Sequence, residues 1–216
     1  MRAVITGFGV VSPIGSGRPA FEQGLRAGAC GVGPITRFDP SDWRSGVAAE
    51  VRDDVAALFA GASQACGVPV TGRWGRTSLY ALAAAAEALQ HAGLHRDALG
   101  DPRCGLAFGG STAGTPEAEA ALLDLPQDAD FWSTASVPSL LTMPVGATVD
   151  ALIWGLRPGG PVSTLSTACS SATNAAGLAL AWLRSGHCDR VIVVGSDGHC
   201  RLTHTGFNAL QLVDPE

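Results

Sequence analysis

The chain has 216 residues, 46% of them hydrophobic and only 15% charged, so it has a sizeable core to bury and little of the composition that keeps segments disordered. All 14 basic residues are arginine, and the net charge of −5 carries no basic run or stripe, which argues against a nucleic-acid partner. Six scattered cysteines without a CxxC pair, in a chain this rich in core residues, argue against a disulfide framework and fit a reducing cytoplasm. The opening residues 2–9 form an apolar run broken at Ser12-Pro13, too short and wrongly flanked for a secretory leader. No stretch reaches the roughly 18 uncharged apolar residues of a membrane span.

In chain order the pattern alternates strand and helix. Residues 3–7 read as a strand, 19–27 as a helix ended by Gly28, and 37–51 as a loop containing Pro40, Gly46 and scattered charges. Residues 77–92 are alanine-rich and closed by Gly93, the composition and stop signal of a helix. Residues 105–108 read as a short buried strand running into Gly109-Gly110-Ser111-Thr112, and 116–123 as a helix. Another helix covers 145–154, after which Gly155 and Pro158-Gly159-Gly160-Pro161 force a turn. Residues 162–165 read as a strand, 170–184 as a helix and 190–195 as a strand. The run Val191-Ile192-Val193-Val194 is continuously apolar, as expected of a central strand covered on both faces. Residues 170–184 are apolar or small nearly all round, which predicts a buried helix. The expectation is one layered α/β domain over residues 1–216 with a largely parallel sheet.

Three motifs resolve into structural readings. Gly7-Phe8-Gly9-Val10-Val11-Ser12 starts like a dinucleotide fingerprint, but its third glycine is missing, Pro13 would disrupt the opening helix, and no acidic residue near 35–37 awaits a ribose; it reads as a turn. Gly109-Gly110-Ser111-Thr112-Ala113-Gly114 departs from a GxSxG elbow at Ala113 and reads as a backbone turn after a strand, with a pocket-lining role open. His187-Cys188 and His199-Cys200 are adjacent pairs without a third ligand at metal-site spacing, so no metal is expected.

Cys169 has a context with chemical logic. It falls between the strand at 162–165 and a helix that opens with Ser170 and Ser171. The unpaired N–H groups and positive dipole end at a helix start favour a thiolate, which is the nucleophilic form. Small neighbours (Ala168, Ser170, Ser171) leave room for a carbonyl to approach, and the cysteine's own N–H can serve an oxyanion hole. A buried cysteine is, however, more often inert packing than a catalyst, so placement alone leaves both readings open.

Three segments together resemble the β-ketoacyl-[acyl carrier protein] synthases of the thiolase superfamily. Val4-Ile5-Thr6-Gly7-Phe8-Gly9-Val10-Val11-Ser12-Pro13-Ile14-Gly15 is similar to the family's amino-terminal signature. Ser166-Thr167-Ala168-Cys169-Ser170-Ser171, followed by Gly186 and residues 191–195, resembles its active-site segment, and Val137-Pro138-Ser139 with Gly155-Leu156-Arg157 resembles the stretch leading into it. The resemblance implies a thiolase-like fold, here one half of a duplicated layered αβαβα architecture. It implies a decarboxylating Claisen condensation in fatty-acid or polyketide biosynthesis, without a cofactor. An acyl group passes from a carrier-protein thioester to Cys169, and a malonyl thioester then loses carbon dioxide and attacks the acyl-enzyme. Carried over by position, Thr112 gates the acyl pocket, Phe207 lines it, and Leu140 and Leu141 fall in the segment that reaches toward the partner's pocket in the family's dimer.

The chain departs from the family's pattern in having no lysine, no His-Gly-Thr and no Gly-His-x-x-Gly, the elements that the family places in a second half. The expected function is therefore the acyl-accepting half of such a synthase, acting with acyl carrier protein and with a second half or partner chain as a homodimer or heterodimer. The alternatives are a non-catalytic ketosynthase-like subunit that pairs with a complete synthase, against which the retained Cys169 argues, and an independent acyl-transfer or thioesterase activity. A half standing alone would also expose a large apolar face.

Overall fold

The computed structural model describes residues 2–70, 74–112, 114–123 and 144–214. In chain order the elements are α1 (Arg18–Ala27), β1 (Val32–Pro34), β2 (Val47–Ala49), α2 (Val55–Leu58), α3 (Ala60–Cys66), α4 (Arg76–His91), a 3-10 turn (Arg96–Leu99), β3 (Cys104–Gly109), α5 (Thr115–Leu123), α6 (Val145–Leu156), β4 (Val162–Leu165), α7 (Ser171–Arg184), β5 (Arg190–Gly195) and α8 (Arg201–Ala209). Leu140 and Leu141 lie outside the described residues.

Three parallel strands stand in the order β4-β3-β5, with Gly109 opposite Leu165 on one side and Gly195 on the other. Alternation along β3 sorts the layers, because successive side chains of a strand point to opposite faces. Leu106 and Phe108 enter the main core with Leu82 of α4, Leu152 and Leu156 of α6, and Leu99. Ala107 faces the other way and packs on Ala175 and Ala179 of α7. The sheet is thus covered by α4 and α6 on one face and by α7 on the other. An antiparallel pair, β1 with β2, stands apart from it.

The α/β class and the parallel sheet agree with expectation, as do the helices at α1, α4, α5, α6 and α7 and the strands β3, β4 and β5. Five expectations are corrected. Among the described residues the central strand is β3, buried along its whole length, while β5 is an edge strand with Val193 42% exposed. The apolar run in β5 therefore describes a strand with one neighbour and room for another. Helix α7 is not buried all round: Ser171, Ala175 and Ala179 form its buried stripe at i, i+4 and i+8, and its opposite face is open. Residues 37–51 are not wholly loop, since β2 pairs there with β1 despite the nearby proline and charges.

The fourth correction concerns residues 3–7, which belong to no sheet among the described residues, with Val4 76% and Ile5 89% exposed. Nor do Gly7 and Gly9 make a turn. They press the backbone onto α4, where a Cβ on Gly9 would collide with the Ala84 carbonyl and one on Gly7 with that of Ala88. The turn comes later, closed by Gly15 N–H donating to Ser12 O at 3.2 Å. Buried Glu87 of α4 pins this segment by accepting from Val10 N–H at 3.0 Å and from Arg18 N–H at 2.7 Å.

Candidate active site

Cys169 sits four residues beyond the end of β4 and two before the start of α7. Its approach is a sharp elbow: Ala168 has φ 54°, a left-handed conformation that a side chain bearing Cβ seldom adopts. Such departures are held only where the surroundings over-determine them. Here Ser171 does so. Its buried hydroxyl accepts from Thr167 N–H at 2.8 Å and donates to Ala168 O at 2.6 Å, while Ser171 N–H donates to the same carbonyl at 3.0 Å. The Ser170 hydroxyl donates to Thr167 O at 2.8 Å, and the Asn174 amide donates to Thr167 Oγ1 at 2.8 Å. The loop is locked from both sides, and the thiol of Cys169 is left exposed.

The elbow can sit this close to the sheet because β3 ends in glycine. A Cβ on Gly109 would overlap the Ser171 carbonyl, so the helix start rests directly on the strand's last residue. Ligands of open parallel sheets gather outside the carboxyl ends of the strands, where Cys169 and the loop after β3 both emerge. That loop, read as a backbone turn, is indeed a bend, with Gly110 N–H donating to Leu165 O at 3.2 Å.

Thr112 lies on this loop, held by a residue that reading the sequence missed. Asp197, just past β5, accepts from Ser111 N–H at 2.8 Å, from Thr112 N–H at 2.6 Å and from the Thr112 hydroxyl at 2.8 Å. Gly198 N–H donates to Thr112 Oγ1 at 3.1 Å. The clamp ties the end of β3 to the end of β5, and a threonine so bonded has a fixed hydroxyl direction. Its signal in the sequence was an acid directly after an apolar strand, facing a Gly-Gly-Ser-Thr loop. Phe207 is placed differently, 47% exposed on α8, which packs against α5.

Of the six thiols, those of Cys169 and Cys30 are exposed and the other four are buried. Burial pushes Cys66, Cys104 and Cys188 up from the ordinary thiol value, which makes them poorer nucleophiles near neutrality. On the α4 side of β5 lies a polar cavity of about 340 Å³, lined by Arg37, Glu50, Arg76, Tyr80, Asp197 and His199. His199 is held below the ordinary imidazole value by burial first and by neighbouring His204 second. Among the described residues no group of three or more His, Cys, Asp or Glu could hold a metal ion.

A strained loop thus offers an exposed thiol at a helix start, above the carboxyl ends of a parallel sheet. The chain belongs to the β-ketoacyl synthase family: the family model described as "Beta-ketoacyl synthase, N-terminal domain" matches residues 1–216. It is 31% identical over 207 residues to a β-ketoacyl synthase 1 of the actinorhodin polyketide from Streptomyces coelicolor, covering 91% of this chain and 42% of that protein. It is 30% identical over 211 residues to 3-oxoacyl-[acyl-carrier-protein] synthase 2 of a Synechocystis species, covering 95% of this chain and 48% of that one. The solved ishigamide ketosynthase/chain length factor superposes with a TM-score of 0.84 at 30% identity, over 99% of this chain and 51% of its own. The fold is the thiolase-like fold of the ketosynthases, and the chain spans about half the length of the relatives it matches.

Proposed function

We propose that this chain is the acyl-accepting part of a β-ketoacyl-[acyl carrier protein] synthase of fatty-acid or polyketide biosynthesis, with Cys169 as its nucleophile. The observation that carries the reading is the elbow itself, a positive-φ alanine locked by Ser171 that presents an exposed thiol at the start of α7. The Cys169 thiolate attacks the carbonyl carbon of an acyl thioester, a tetrahedral oxyanion forms, and the carrier's sulfur leaves as a thiol once protonated. The new thioester then awaits a carbanion generated by decarboxylation of a malonyl thioester.

In this reading residues 1–216 are the amino-terminal domain. The rest of the family fold supplies the donors that stabilise the enolate, because no lysine or His-Gly-Thr stands in this chain. By the family resemblance Thr112, its hydroxyl turned to Asp197, gates the acyl pocket and Phe207 lines it, while Leu140 and Leu141, outside the described residues, belong to the segment that serves a partner's pocket. The chain works in the cytoplasm with acyl carrier protein, as a dimer with another ketosynthase chain. No helix among the described residues is long and apolar enough to cross a membrane, which is in keeping with that setting. The open face of α7 supports pairing, since soluble monomers seldom leave such a surface uncovered.

The test is to incubate the full chain with an acyl-carrier-protein thioester and measure intact mass. One acyl group is expected on the wild type and on Cys30→Ala, and none on Cys169→Ala. An adduct that survives Cys169→Ala, or the absence of any adduct, overturns the assignment.

A further inference from the structure

We infer that Glu119 is a positioning residue for acyl-chain selection, pinning α8 so that Phe207 stands at a fixed place relative to Thr112; this rests on the reading that Thr112 and Phe207 belong to the acyl pocket. Glu119 is half-buried on α5, and its carboxylate reaches the start of α8, accepting from Arg201 N–H at 3.0 Å and from Leu202 N–H at 2.5 Å. These are two of the four amides that a helix start leaves unpaired, and a carboxylate there also meets the positive end of the helix dipole. Local capping is already present, since Cys200 N–H donates to Thr203 Oγ1 at 3.2 Å. What Glu119 adds is a tie to another element, across 82 and 83 residues of chain.

That tie closes a ring. Asp197 holds the N–H and hydroxyl of Thr112, and the Thr112 carbonyl accepts from Thr115 N–H at 3.0 Å and from the Thr115 hydroxyl, at the first residue of α5. Glu119 stands one turn further along α5, and from Arg201 the chain runs back through Gly198 to Asp197. Thr112 is thus a member of the ring, and Phe207 rides on the helix that the ring holds. Packing alone does not fuse the two helices, because an apolar cleft of about 310 Å³ stays open between them along Ala118, Leu122, Leu202 and Thr205. Beyond the ring, α8 is tied at His204, whose Nε2 lies 2.9 Å from Ser45 O. His204 is three residues from Arg201 and three from Phe207, a fulcrum with arms of about 4.5 Å each. Releasing the start of α8 therefore shifts Phe207 and the room for an acyl chain, while the elbow at Cys169 stays closed by its own bonds.

The test compares acylation of the full chain by butyryl- and decanoyl-carrier-protein, as the ratio of the two kcat/KM values, in wild type, Glu119→Ala, Glu119→Gln and Phe207→Ala. Amide hydrogen exchange on the same proteins reads the pin without acylation. Glu119→Ala is expected to shift the ratio by at least roughly fivefold and to speed exchange of the Arg201 and Leu202 amides by at least roughly tenfold, with exchange across α7 as in wild type. Glu119→Gln, which keeps one acceptor oxygen, is expected to fall between. A merely structural role would lower both rates alike and leave the ratio where it was; that result overturns the inference, as does wild-type exchange at Arg201 and Leu202 in Glu119→Ala. A ratio moved by Phe207→Ala but by neither Glu119 variant overturns the inference alone. A ratio that Phe207→Ala leaves unchanged overturns the pocket assignment, and the inference falls with it.

Discussion

At the carboxyl ends of the strands, the loop around Cys169 and the loop around Thr112 are each closed by several short hydrogen bonds and seated on glycine. Along the outer edge of β5, residues 191–195 face the segment 3–9 across a cavity of about 490 Å³. Both regions belong to the same three-stranded sheet, yet one is closed by hydrogen bonds and the other is lined by apolar side chains and open backbone. The difference teaches that the geometry around Cys169 is fixed by short-range hydrogen bonds, while the edge of β5 is shaped only by packing among the described residues. Substitutions should therefore be costly at the first region and nearly silent at the second.

The largest effect is expected for Gly109→Ala, whose methyl would occupy the position of the Ser171 carbonyl. Overpacking of this kind should cost about 3 kcal/mol and displace the elbow, read as a lowered urea midpoint together with slower iodoacetamide labelling of Cys169. A wild-type midpoint would mean that the helix start does not rest on β3. Next comes Asp197→Ala, which removes the acceptor for two backbone amides and a hydroxyl. A loss of about 2 kcal/mol is expected from charge-assisted bonds of this number, with Cys169 labelling retained because its own loop is closed independently.

A smaller effect is expected from pH. The folded state prefers His199 neutral, so the unfolded chain binds its proton more readily. Stability from this group is complete above the unfolded imidazole value of about 6.5 and declines as the pH falls below it, by at most about 1.4 kcal/mol per unit. Denaturation midpoints between pH 7.5 and 5.5 should show this slope, and His199→Gln should flatten it. The smallest effect belongs to the channel: Ile5→Asp, at an exposed and unpaired position, should change the stability of the lone chain by less than about 0.5 kcal/mol. A large loss there would show that the segment is already part of a packed sheet.

Much of this organisation was legible in the sequence. The strand ends at Gly109 and Gly195, the helix start after Cys169 and the alanine-rich α4 follow from local composition, and the structure places them within a residue or two. What could not be read was partnership. The continuous apolar run at 191–194 records that a strand is covered, without saying by how many neighbours. The small residues of α7 record close packing without saying whether the packing partner is on this chain. Residues 3–7 have strand propensity but pair with no strand among the described residues, because a ladder needs two members. Asp197 was missed for a related reason: its bonds reach back across 85 and 86 residues, and only the folded sheet brings those ends together.

The atoms that close the elbow belong to Thr167, Ala168, Ser170, Ser171 and Asn174, and none comes from the side chain of Cys169. The mount and the tool are thus separate parts. A different reactive side chain set at position 169 would inherit the same orientation, which makes the loop an interchangeable holder whose chemistry could be changed without rebuilding the fold.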